Sequence, residues 1–158
     1  METALNTVLW LVSVAAMWVY CYRVVLRQPF VTVAKHFGMV LILHLLLGVL
    51  ATGLSLLDWS NLVRPQTPPL WLQAAFTLFI KGYITLLVVF TLNFAAAFAT
   101  QMVNKIVAFH QTHNAANLHR QPLRALIQYQ HRIIVVYQAL FMLGGVGMLW
   151  AVWFKTSL

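Results

Sequence analysis

The chain has 158 residues, of which 62% are hydrophobic and only 8% are charged, and its net charge is +8. Soluble domains carry about 25% charged residues, so this composition excludes an ordinary soluble domain and predicts one membrane-embedded domain. The ten bases outnumber two acids, Glu2 and Asp58, and most of them flank apolar segments, so we interpret them as markers of membrane orientation and expect no nucleic-acid binding.

Two apolar segments open the chain. The first covers residues 4–22 and is followed by no small-residue cleavage site, so we expect a retained span rather than a removed signal. As a helix it would rise about 28 Å, close to the thickness of the hydrocarbon core. Pro29 then separates it from the second span, residues 37–57, because proline stops a helix. A loop with three prolines follows at residues 58–69.

The third apolar segment begins at Leu70 and has two interpretations. In the first, one tilted helix runs from Leu70 to about residue 93 and places Lys81 near the middle of the bilayer. In the second, which we favour, residues 70–80 form a separate apolar segment, Gly82 is the joint and residues 82–104 are the span. The second interpretation keeps Lys81 at the interface, where its amine reaches the headgroups, and avoids burying a charge at a cost of about 3 kcal/mol.

The most polar part of the chain lies at residues 105–132, between the third and fourth apolar segments. No glycine or proline occurs from Tyr83 through Gln121, so the third helix is expected to continue to about Thr112, and Pro122 suits the first turn of a new helix. The fourth span is residues 133–153. The sequence therefore predicts an all-α integral membrane protein with four transmembrane helices and a cytoplasmic helical hairpin between the third and the fourth.

The basic residues are distributed unevenly between the two sides that a four-span chain would have. Seven of the ten lie in the connections after the first and third spans: Arg23, Arg27, Lys35, Lys105, Arg120, Arg124 and Arg132. Because basic loops stay in the cytoplasm, we predict that both termini lie outside and the hairpin inside, in a bacterial inner membrane.

No constellation in the sequence is typical of an enzyme. The chain has no paired carboxylates, no phosphate-binding loop and no metalloprotease or serine-hydrolase motif. Its one cysteine, Cys21, excludes an internal disulfide and a cysteine-based metal cage. We therefore expect that the chain is not an enzyme and carries no metal or cofactor.

Histidines are the candidate ligands if that expectation fails. His36 and His131 both lie near the predicted cytoplasmic surface and could ligate a b-type haem, with His44 inside the second span as a third candidate. The hairpin contains three more histidines that would be weak candidates for a transition metal: His110, His113 and His119. No carboxylate or thiolate lies near them in the sequence to complete such a site.

Lys81 is the reason to expect a protein partner. If it lies deep in the bilayer, no acid of this chain can neutralise it, so a carboxylate from another subunit is the natural counterion. The partners we expect are the lipid bilayer and either other membrane-protein subunits or further copies of the chain.

The leading hypothesis is a non-catalytic subunit that scaffolds a larger inner-membrane assembly for secretion, conjugation, transport or respiration. Its basic hairpin, with Arg120, Arg124 and Arg132, would be the docking surface. One alternative is a membrane electron carrier with haem b, and a second is a small transporter or channel with Lys81 and His44 lining a path.

Overall fold

The computed structural model describes residues 2–56, 69–114, 116 and 118–155. These ranges contain no strand, and their helical elements in chain order are α1 (Glu2–Tyr20), a π-helical turn (Cys21–Val25), α2 (Phe30–Leu56), α3 (Leu70–His113), α4 (Leu123–Gln128) and α5 (Gln130–Phe154). Within the described residues, four helical stretches are long and apolar enough to cross a membrane. The prediction of an all-α chain with four such helices is confirmed. The predicted loop at residues 58–69 lies outside the described residues except for Pro69.

The second helix begins earlier than hydropathy predicts. It starts at Phe30 rather than at residue 37, and the amide of Thr32 donates to the carbonyl of Pro29 at 2.9 Å. Proline has no amide hydrogen and a fixed φ, so a helix readily starts directly after it. Lys35 and His36 occupy the first two turns, where polar residues are compatible with a helix although they end the apolar segment.

The third helix has no joint at Gly82. It is a single element of 44 residues, which corresponds to about 66 Å, roughly twice the hydrocarbon thickness. The interpretation with a separate segment at residues 70–80 is therefore wrong, because those residues form the first turns of the same helix. A lone glycine costs about 1 kcal/mol relative to alanine in a helix, too little to break one that is flanked by good helix formers. The helix ends at His113, close to the expected Thr112.

The last apolar helix is preceded by a short, separate one. Pro122 precedes the first residue of α4, as the sequence predicts, and α4 is six residues long. Tyr129, with φ −106° and ψ 11°, separates α4 from α5, so these two helices are not continuous.

Long helices that follow one another in the chain are antiparallel, and α3 contacts the other three. Side-chain contacts fix the order of α3 against α5: Lys81 with Trp153, Thr100 with Gln138, and Asn104 with Gln130. Aromatic contacts fix α2 against α3: His44 with Tyr83, Phe37 with Phe94, and Phe30 with Phe98. The two basic connections consequently lie toward the same end of the bundle, beside the C-terminal half of α3.

The core lies where α1, α3 and α5 meet, at Gly145. A Cβ atom at this glycine would lie 2.5 Å from the sulfur of Met17 and 2.8 Å from Cδ1 of Leu92. Met17 is fully buried, as are Ala96 and Leu149 nearby. A Cβ at Gly144 or Gly147, the other two glycines of α5, would meet nothing within 4 Å.

The outer surface of the bundle is apolar, and α2 is its most peripheral helix. Only 6% of the most apolar window of α2 is buried, against 17% for each of the other three apolar helices. Leu46 is 62% exposed, Val49 72% and Trp71 71%. Large exposed apolar surfaces of this kind mark contact with a membrane or with another protein.

Candidate functional site

Among the described residues, two polar clusters lie near the N-terminal part of α3, on opposite sides of that helix. One, which we call the Lys81 cluster, joins Lys81 of α3 to Trp153 of α5 and Ser13 of α1. The other, the His44–Tyr83 pair, joins α2 to α3. Lys81 and Tyr83 are two residues apart, so their side chains leave the helix about 200° apart. Lys81 and His44 therefore do not line a common path.

The hydrogen bonds of the Lys81 cluster join groups that all belong to this chain. The amine of Lys81 donates to the backbone carbonyl of Trp153 at 3.4 Å. The indole of Trp153 donates to the hydroxyl of Ser13 at 3.2 Å, and this hydroxyl donates to the carbonyl of Leu9 at 2.7 Å. Lys81 and Ser13 are each 7% exposed. The side chain of Lys81 is therefore buried among the helices, and its amine lies at the end of the bundle where α5 ends.

Helix geometry explains why a lysine is accepted at this position. The last four carbonyls of an α-helix have no partner within the helix, and that end carries a partial negative charge. Since α5 ends at Phe154, the carbonyl of Trp153 is one of these groups. Lys81 thus acts as a cap for the C-terminus of α5. The side chains of both acids, Glu2 and Asp58, lie outside the described part of the chain.

Further polar groups continue along α3 from Lys81, in addition to the candidates that the sequence indicates. Thr85 is one turn away, and its hydroxyl is buried with no hydrogen-bond partner among the described residues. Asn93 is fully buried; its amide nitrogen donates to the carbonyl of Val89 at 2.9 Å, while its oxygen has no partner among the described residues. Thr100 accepts a hydrogen bond from Gln138 at 3.1 Å. Lys81, Thr85, Asn93 and Thr100 follow one another at spacings of four, eight and seven residues. These spacings place them on one side of a helix, so the pattern was detectable in the sequence.

The His44–Tyr83 pair lies on the outer side of the bundle. The two rings stack with centroids 5.8 Å apart and planes at 12°, and Nδ1 of His44 is hydrogen-bonded to the hydroxyl of Tyr83. His44 is exposed on a surface that is otherwise apolar. Beside it a shallow groove of about 500 Å³ runs along α2, lined by His44, Leu45, Gly48, Val49, Thr52 and Gly53.

The three histidines considered for haem are not brought together. His36 is hydrogen-bonded through Nδ1 to the hydroxyl of Tyr20 at 2.8 Å, and the ring of Tyr20 packs on Phe90 at 5.0 Å. His131 follows Gln130, which contacts Asn104. Phe90 and Asn104 are 14 residues apart on α3, or about 21 Å along its axis. His44 is paired with Tyr83, so the arrangement offers no facing pair of histidines for one haem.

The hairpin histidines do not form a metal centre either. His113 stacks on Phe109 with centroids 4.8 Å apart, and its Nδ1 lies 3.2 Å from the carbonyl of the same residue. His110 lies edge-on to Phe109 and near Asn114, while His119 is exposed in the following turn. Among the described residues, no group of three or more histidine, cysteine or acidic side chains is placed to hold a metal ion.

Cation–aromatic pairs mark both ends of the bundle. At the basic end, the guanidinium of Arg27 lies 4.3 Å from the ring centroid of Tyr22, and that of Arg132 lies 5.6 Å from Tyr129. At the other end, the amine of Lys155 lies 5.3 Å from the ring of Trp150. Arg124 lines an open pocket of about 390 Å³ between α3 and α4, and Arg120 is exposed in the connection between these two helices. Such pairs are typical of membrane–water interfaces.

Comparisons with known protein families, with curated proteins and with solved structures find no match for this chain. The function proposed below therefore depends on its own residues and their contacts.

Proposed function

We propose that the chain is an integral membrane protein that crosses the bilayer four times. Four helices of sufficient length and hydropathy support this proposal, as does the apolar outer surface. In water such a surface would aggregate, whereas in lipid its exposure has no cost. Helices also satisfy their own backbone hydrogen bonds, which is a requirement in the hydrocarbon core.

We further propose that both termini lie outside and that residues 105–132 form a cytoplasmic hairpin, in a bacterial inner membrane. The antiparallel order of the helices supports this orientation, because it brings the two basic connections to one end of the bundle. The end with Arg27 and Arg132 would then be cytoplasmic, and the end with Lys155 would face outward.

The function best supported is that of a non-catalytic subunit that scaffolds a larger membrane assembly, for secretion or conjugation, transport or respiration. One observation carries this proposal: α2 presents the exposed His44, which is paired with the half-buried Tyr83 of α3, next to Gly48 and Gly53, and a Cβ at either glycine would meet nothing within 4 Å. Small residues on a membrane helix allow another helix to approach closely, and a polar pair facing lipid gains from being covered. The basic hairpin, with Arg120 and Arg124, would dock a cytoplasmic component.

The test is purification in mild detergent followed by mass spectrometry of the co-purifying proteins. The double variant Gly48→Leu, Gly53→Leu fills the face of α2 and is expected to lose the partner. The matched control is Gly144→Leu, Gly147→Leu on α5, where the added side chains also meet open space in the structure. A wild-type chain that is monodisperse and co-purifies with nothing would refute the scaffold proposal. Equal loss of the partner in both double variants would refute the assignment to α2.

A further inference from the structure

A second groove lies on the outer side of α5, at the basic end of the bundle. It has a volume of about 430 Å³ and is lined by Tyr129, Arg132, Ile133, Val136, Tyr137 and Leu140. These positions recur every three or four residues, so they form one face of the first turns of α5. The face is exposed: Val136 is 57% and Leu140 59% accessible. We call it the α5 groove.

The groove is amphipathic along its length. One end of the groove lies at the N-terminus of α5. There the guanidinium of Arg132 lies against the ring of Tyr129, and the helix dipole adds positive potential. Farther along α5, the groove is lined by the apolar side chains of Ile133, Val136 and Leu140. From Arg132 to Leu140 the helix rises about 12 Å, which covers the distance from the headgroup layer into the acyl chains.

We propose that the α5 groove binds an acidic phospholipid, with its phosphate on Arg132 and one acyl chain against Val136 and Leu140. The inference rests on the proposed membrane insertion. Charge complementarity selects the ligand, because the groove has a cation at one end and no acidic residue in its lining. Basic pockets of this kind at the cytoplasmic side of transmembrane helices recognise anionic headgroups. The apolar wall requires a ligand with a hydrocarbon chain, which a free phosphate ion lacks.

The experiment is native mass spectrometry of the full chain, with phosphatidylglycerol or phosphatidylcholine added in detergent. We expect preferential retention of phosphatidylglycerol, and a loss of about fivefold in Arg132→Gln, which is the factor that corresponds to about 1 kcal/mol per basic residue near a membrane surface. Retention of phosphatidylcholine should not change. The matched control is Arg27→Gln, which removes another arginine that lies on a tyrosine at the same end, outside the groove lining.

Three results would overturn the proposal: equal retention of the two lipids, equal loss in the two arginine variants, or a stabilisation of the wild type by inorganic phosphate as large as that by the lipid. A second variant, Val136→Ser, shortens the apolar wall without altering charge and should also reduce retention of the lipid. Carbonate extraction of membranes separates this test from the parent proposal. A chain that resists extraction yet fails to discriminate between the lipids refutes only the groove, whereas a chain released by carbonate refutes membrane insertion.

Discussion

Replacing Gly145 tests whether α1, α3 and α5 meet where the structure places them. A Cβ at this position would lie 2.5 Å from the sulfur of Met17, 3.1 Å from its Cε and 2.8 Å from Cδ1 of Leu92. Met17 is fully buried and Leu92 is 9% exposed, so neither side chain can move into open space without shifting its own neighbours. We therefore expect Gly145→Leu to destabilise the bundle.

The expected magnitude follows from two opposing effects. Overpacking of a well-packed core costs about 1–3 kcal/mol, and replacing glycine in a helix recovers up to about 1 kcal/mol of helix propensity. Gly145→Ala adds one carbon against the ends of flexible side chains, so we expect a net loss of about 0–2 kcal/mol. Gly145→Leu adds three more carbons at the same place, and its loss should reach about 3 kcal/mol or more.

The assay is reversible unfolding of the full chain in mixed micelles by increasing fractions of a denaturing detergent, followed by far-ultraviolet circular dichroism. The matched controls are Gly144→Leu and Gly147→Leu on the same helix, where a Cβ meets nothing within 4 Å. Their free energies of unfolding should stay within about 1 kcal/mol of the wild type. If Gly145→Leu is no less stable than these controls, the crossing of the three helices at Gly145 is refuted.

Three further predictions address the polar groups and the orientation. Lys81→Met removes the cap of α5 and should lower the free energy of unfolding by about 1 kcal/mol, whereas Lys105→Met, at an exposed lysine of α3, should leave it unchanged; equal effects would show that the cap contributes nothing. Asn93→Leu should be neutral or stabilising in the same assay, because a buried oxygen without a hydrogen-bond partner costs about 1–3 kcal/mol. A marked loss of stability would show that this oxygen has a hydrogen-bond partner in the folded chain. In a Cys21→Ala background, His113→Cys should react with a membrane-impermeant maleimide only after the cells are broken, and labelling of intact cells would contradict a cytoplasmic hairpin.

The helix ends show how far local sequence signals reach. Pro29 and Pro122 each marked a break correctly, because proline acts on the backbone of its immediate neighbours. Gly82 was misread as a joint, since a single glycine only weakens a helix and the long apolar segment around it decides the outcome. The predicted second span begins at residue 37 whereas α2 begins at Phe30, because hydropathy marks the most apolar part of a helix and not its ends.

The sequence by itself determined the number of apolar helices, their order and the concentration of bases in two connections, because hydropathy and charge are local properties that add along the chain. It did not determine which side of each helix faces which neighbour. A helix that is apolar on all sides has no amphipathic face to indicate its rotation. Only the tertiary structure decided that Lys81 donates to a carbonyl at the end of α5, that His44 is hydrogen-bonded to Tyr83 and that Met17 packs against Gly145. Each of these contacts depends on how helices distant in sequence pack against one another.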